Sequence, residues 1–85
     1  MMTLREIENE IKKILGIPKE FKLYSLILER VGKWEYYKVF AYDSKNRMKG
    51  FRVRRDDEPV VLELWKEFER LRREKKRISE MLEEV

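Results

Sequence analysis

Between Trp34 and Arg55 the chain sets flat side chains beside cations. WEYYKVFAY, residues 34 to 42, has five aromatics in nine positions, and SKNRMKGFRVRR, residues 44 to 55, has six Lys or Arg in twelve. Aromatic rings can stack on bases, and guanidinium or ammonium groups can neutralise phosphates, so the combination has the chemistry of nucleic-acid contact. The same residue types also build the interior of a small sheet. The choice depends on which side chains face inward.

No other chemistry has a comparable residue set. Cys and His are both absent, which removes disulfides, thiol nucleophiles, the usual zinc ligands and a His general base. Ser25, Ser44 and Ser79 have no relay base at recognisable spacing. Glu63 and Glu67 share a helix face but lack a metal-type partner set. The three glycines, at 16, 32 and 50, form neither GxGxxG nor a phosphate-binding loop. The expectation is a protein without catalysis, cofactor, metal or small-molecule substrate.

The elements that position these residues are marked by turns and caps. Thr3-Leu4-Arg5-Glu6 fits a capping box, and Leu4, Ile7, Ile11, Ile14 and Leu15 form one apolar stripe. Gly16 and Pro18 end that helix, predicted over 4 to 15. Val31-Gly32-Lys33-Trp34 suits a two-residue hairpin with Gly first, and Asp43 to Arg47 suits a three-residue loop with Asn46 left-handed. Three antiparallel strands follow, over about 21 to 31, 34 to 42 and 48 to 55. Asp56, Asp57, Glu58 and Pro59 open a last helix over 59 to 84. The fold class is α+β, in the order α-β-β-β-α, as one domain over residues 1 to 85.

The turns fix the strand register, and the register fixes the faces. One face collects Tyr24, Leu26, Leu28, Tyr37, Val39, Ala41, Phe51 and Val53, with Arg30, Glu35 and Arg55 as an ion-pair row beyond. The other collects Leu23, Ser25, Ile27, Glu29, Val31, Trp34, Tyr36, Lys38, Phe40, Tyr42, Met48, Gly50, Arg52 and Arg54. Within this second face Tyr36, Lys38, Arg52 and Arg54 are the candidate nucleic-acid contacts, with Lys33, Lys45, Arg47 and Lys49 around the hairpin tips and edge. Arg52, Arg54 and Tyr36 are the candidates for base-edge or stacking contacts. The competing expectation is that Leu23, Ile27, Phe40, Tyr42 and Met48 form a second core under the first helix. Glu29 could also pair with one of the cations.

Charge supports the middle segment as the electrostatic source. Residues 19 to 57 carry eleven basic and six acidic side chains, against balance before and a slight acidic excess after. The 45% charged content, with no Gln and two Asn, is the pattern of hyperthermophilic proteins. No apolar run reaches the ~20 residues of a membrane span, and the N-terminus lacks a signal-peptide core, so a cytoplasmic protein without a membrane partner is expected.

The last helix repeats Val61, Leu64, Phe68, Leu71, Lys75, Ile78, Leu82 and Val85 at alternating three- and four-residue spacing, a heptad seam with one polar member. Its ~26 residues span roughly 39 Å, against roughly 30 Å for nine-residue strands, so about two turns should overhang the sheet. Leu71, Ile78, Leu82 and Val85 are the candidate homodimer contacts; packing of this end on Leu4, Ile7 and Ile11 is the intramolecular alternative. Arg70, Arg72, Arg73, Lys75, Lys76 and Arg77, interspersed with or flanked by Glu67, Glu69, Glu74 and Glu80, read as a solvated salt-bridged face.

Residues 22 to 72 resemble the AP2-type and integrase arm-binding DNA-binding domains. The likeness lies in Gly32-Lys33-Trp34, in the Tyr42-Asp43 turn with a basic residue after it, and in Phe51-Arg52-Val53 with a helix opening soon after. The resemblance implies a sheet face opposite the helix that enters the DNA major groove; here that face bears Tyr36, Lys38, Arg52 and Arg54. This chain departs from the pattern in its N-terminal helix and its longer final helix. Two functions are therefore expected: nucleic-acid binding, with duplex DNA favoured, or oligomerisation or adaptor binding through the final helix.

Overall fold

The computed structural model describes residues 1–83. Helix α1 (Leu4–Leu15) begins with the expected box: Glu6 N–H donates to Thr3 Oγ1 and Thr3 N–H to Glu6 Oε1, both at 3.2 Å. It ends at left-handed Gly16, with Ile17 N–H donating back to the Lys12 carbonyl at 2.8 Å, a Schellman closure that folds Ile17 into the core. Lys12 is buried, and its ammonium donates to the Lys19 and Phe21 carbonyls at 3.0 and 2.8 Å. The helix thereby holds the loop that leads into the sheet.

Strands β1 (Lys22–Val31), β2 (Trp34–Tyr42) and β3 (Met48–Arg52) form an antiparallel sheet in sequence order. Gly32 at φ 60° and Asn46 at φ 61° take the left-handed positions that the two turns require. The paired positions Leu26–Val39, Leu28–Tyr37 and Val39–Phe51 are as the turns dictate. Strand β3 stops at Arg52, three residues earlier than expected, because a 3-10 turn over Arg55–Asp57 takes the chain into the last helix.

One local feature overturns part of the face assignment. The β1–β2 register shifts between Leu23 and Ser25, so Leu23 opposes Ala41 while Ser25 opposes Phe40. Tyr24 is the extra residue of a β-bulge, and the strand changes parity across it. Leu23 is consequently inside, at 6% exposure, and Tyr24 outside, at 52%, the reverse of the turn-based expectation.

The core decides where the helices sit. Ile7, Ile11, Val61, Trp65 and Phe68 share one buried cluster with Leu23, Val39, Ala41 and Val53, which all belong to the same sheet face. Helices α1 and α2 (Glu58–Glu83) therefore pack side by side on one face of the sheet. Among the described residues there is no second core: Ile27, Met48 and Tyr24 are exposed, and Phe40 and Tyr42 only half-buried. A single core suffices because the stripes of both helices fit on the same apolar surface.

Helix α2 keeps its ion pairs Glu63–Lys66, Glu67–Arg70, Glu69–Arg72 and Glu74–Arg77. Arg72 departs from the solvated reading. Its guanidinium donates to the carbonyls of Leu23 and Tyr24, at 3.3 and 3.1 Å, and lies 4.6 Å from the Phe68 ring centroid. On the neighbouring N–H, Glu8 Oε2 accepts from Leu23 at 2.9 Å. Two side chains from two helices thus hold the bulge.

From Arg73 to Glu83 every residue of α2 is exposed, an overhang of about three turns. Ile78 and Leu82 are 48% and 71% exposed and do not bury themselves on α1, so the intramolecular alternative is corrected; Leu71 is half-buried at the core margin. Val85 lies outside the described residues. Among those residues, no helix is long and apolar enough to cross a membrane.

Candidate nucleic-acid interface

The sheet face away from the helices carries Tyr36, Lys38 and Arg52 of the eight candidate contacts, and the structure sorts all eight by what each is free to do. Arg52 and Tyr36 form a unit: the guanidinium lies 4.4 Å from the ring centroid. A stacked guanidinium retains its in-plane N–H groups, which suits bidentate donation to phosphate or a base edge. Tyr36, Arg52, Val31 and Trp34 line one shallow groove. Trp34, on the same face at the hairpin end, is 70% exposed and is the largest uncovered ring of the chain.

Lys38 is less free. It meets Glu29 at 3.3 Å, is half-buried, and lies 5.6 Å from the Phe40 centroid. The Glu29 Oε2 that it approaches has no hydrogen bond, so the contact is an ion pair without hydrogen-bond geometry. Gly50 makes this arrangement possible: a Cβ there would sit 2.7 Å from Lys38 Cε and 3.2 Å from Phe40 Cε1. The cation foreseen as a phosphate contact is thus largely neutralised by its neighbour across the strand.

The tip residues divide similarly. Asp43 accepts from the N–H groups of Lys45 and Arg47 and from Arg47 Nε, all at 2.9 Å. These donors, led by the Arg47 backbone N–H, hold the Asp43 carboxyl below the ordinary aspartate range. Arg47 is therefore tied to the turn, while Lys45 and Lys33 remain exposed and form no ion pair among the described residues. Lys49 pairs across from Ala41, which places it on the helix side, 5.5 Å from the Phe51 centroid and apart from the others. Arg54 is exposed just beyond β3, where with Arg52 it lines a crevice against the C-terminal end of α1.

Tyr42 lies on this face as expected, and Tyr24, which alternation assigns to the opposite face, joins it with ring centroids 5.3 Å apart. A signal for it exists at the start of β1 and just before it: Phe21 and Leu23 are apolar at odd positions, while Leu26 and Leu28 are apolar at even ones. A change of apolar parity within a strand is what a bulge produces. At the far end, Arg30 pairs with Glu35 at 2.8 Å, while Arg55 donates to the Glu35 carbonyl at 2.7 Å and pairs with Glu58 at 3.6 Å, so the expected ion-pair row forms only in its Arg30–Glu35 half.

Among the described residues, no group of three or more acidic side chains is placed to hold a metal ion. No family model matches the chain, and no solved structure does. Over 63 residues it is 40% identical to the uncharacterized protein aq_aa34 of Aquifex aeolicus (strain VF5), a match over 73% of this chain and 20% of that protein. The chain therefore spans about a fifth of the length of the curated relative it matches.

Proposed function

We propose that the chain binds nucleic acid, with duplex DNA favoured, through the sheet face opposite its helices. The observation that supports this most is the placement of α1 beside α2, which leaves that face uncovered. On it, or at its rim, Arg52, Arg54, Lys33 and Lys45 are exposed cations, and Trp34 with the Arg52–Tyr36 stack supplies flat surface. A sheet of this width suits a major groove, with cations on the phosphates and Arg52 at base edges. Paired Lys38 and Arg47 would contribute less.

The test is a fluorescence titration with duplex and single-stranded DNA across salt. Four free cations per chain predict a log–log salt slope of roughly −3 to −4. Arg52→Glu with Arg54→Glu should abolish binding. Undetectable binding of the native chain at low salt refutes the reading.

The overhang of α2 supports a second reading, an oligomerising or adaptor role through Ile78 and Leu82, which are exposed on one side of the helix. Ile78→Glu with Leu82→Glu would then change the mass in light scattering or abolish capture of a partner. The charge-rich, amide-poor composition further suggests a hyperthermophilic source, for which a melting temperature above ~90 °C is the check.

A further inference from the structure

The two outer edges of the sheet are unlike. Strand β3 has five residues, and a short edge with Lys49 on it offers little to another strand. Strand β1 has ten. Its first third is closed by the chain itself: Glu8 accepts from the Leu23 N–H, and Arg72 donates to the Leu23 and Tyr24 carbonyls.

Past the bulge the edge is bare. Val53 N–H donates to the Tyr37 carbonyl at 2.8 Å, so Tyr37 turns its backbone groups toward β3. Its partner Leu28 must then turn its own N–H and C=O away from β2, and by alternation Leu26 and Arg30 do the same. Among the described residues no loop, cap or side chain bonds to these groups. The three central side chains of this edge are apolar, Leu26 and Leu28 toward the helices and Ile27 toward the open side. Ile27 and Leu28 are 41% and 44% exposed. Ser25 to Val31 contains no Lys or Pro, the usual defence of an edge, and its two charges, Glu29 and Arg30, are engaged by Lys38 and Glu35 of β2.

We propose that β1 pairs antiparallel with β1 of a second copy of this chain, centred on Ile27, to make one continuous six-stranded sheet. The register follows from two requirements. Outward backbone groups must meet, which sets Leu26 against Leu28 of the second copy and the reverse, as two hydrogen-bonded pairs. Ile27 then meets its own copy in a non-hydrogen-bonded pair, with Cα atoms about 4.5 Å apart. Centring on Leu28 would satisfy the backbone equally, but it sets Ile27 against Glu29 and Leu26 against Arg30. Only the Ile27-centred register places apolar side chains together on both faces, and a two-fold axis makes the patch complementary to itself. The proposal is independent of any nucleic-acid contact.

Sedimentation equilibrium of the native chain tests the dimer. The mass should be twice that of one chain, and Leu28→Pro should halve it with the far-UV circular dichroism unchanged, because the N–H that proline removes points away from β2. Leu28→Lys gives the same expected result should Leu28→Pro fail to fold. Ile78→Glu with Leu82→Glu should leave the dimer intact. Since the chain has no cysteine, Ile27→Cys should cross-link under mild oxidation at least tenfold faster than Val31→Cys. A native chain that stays monomeric at the highest soluble concentration overturns the proposal. So does a dimer that is broken by the α2 variant and not by the Leu28 variants, or equal cross-linking rates for the two cysteine variants.

Discussion

Replacing Arg72 with Met tests whether the bulge is held in place or merely tolerated. The substitution retains an apolar stem over Phe68 and removes only the guanidinium. That group makes two charge-assisted bonds to carbonyls, at 3.3 and 3.1 Å, pairs with Glu69 within the helix, and lies 4.6 and 5.8 Å from the Phe68 and Trp65 ring centroids. Bonds from a charged donor contribute about 1.5–3 kcal/mol each when buried, and partial exposure of these carbonyls lowers that to about 1 each. The ring contacts add about 0.5 kcal/mol and the intrahelical pair about 0.3. The expected loss is therefore about 2–3 kcal/mol, which for a domain of this size corresponds to a fall in melting temperature of roughly 8–24 °C. Urea titration followed by circular dichroism is the assay, with an unchanged m-value as the sign that the fold survives. Arg72→Lys should recover less than half, since an ammonium cannot both stack and reach two carbonyls. Coupling to Glu8→Ala should be non-additive, because both side chains hold the same bulge. A loss below about 0.5 kcal/mol for Arg72→Met, in the range of an ordinary surface substitution, would refute the clamp.

Three further substitutions probe the scaffold. Lys12→Met should cost about 2 kcal/mol, read by thermal melting, because the Lys19 and Phe21 carbonyls lose a buried charged donor. At Asn46, φ 61° predicts that Asn46→Ala costs about 1 kcal/mol while Asn46→Gly stays within about 0.5 of the native chain. The Asp43 carboxyl is held below its ordinary value by the Arg47 and Lys45 donors, so the folded state binds the proton more weakly than the unfolded one. Its contribution is complete above the unfolded value and fades as pH falls through the lower folded value. The stability gap between the native chain and Asp43→Asn should accordingly be constant near neutrality and close below about pH 4.

Most of the architecture could be read from turns and caps, because each has a residue that few others can replace. Thr3 with Glu6, Gly16, Gly32 and Asn46 set the ends of α1 and the register of both hairpins. The Arg30–Glu35 ion pair followed from that register, whereas Arg55 reaches only the Glu35 backbone and pairs with Glu58. The bulge did not: unbroken alternation from the turn sets Tyr24 opposite Ala41, whereas Leu23 takes that place. Nor did the position of α1 follow from its stripe, since an apolar helix face fits either side of a sheet until the packing of α2 is known. At the candidate interface the sequence grouped the cations by strand face, but pairing with Glu29 and Asp43 is a matter of side-chain reach that alternation does not express. Lys38 and Arg47 were for that reason ranked with Arg52, whereas Arg52 stacks on an aromatic ring and stays available.

Placing both helices on one side also separates two kinds of selection within a single sheet. At Val39, Ala41 and Val53 a change in volume is felt by the core, so mutational tolerance there is set by folding. At Trp34, Tyr36 and Arg52, one pleat away on the same strands, the outward side chains can change without opening a cavity, whereas Gly50 is fixed by the close fit of Lys38 over it. Such a sheet can evolve as a fixed frame with a replaceable front, and recognition can drift across homologous copies while the fold's stability stays nearly constant.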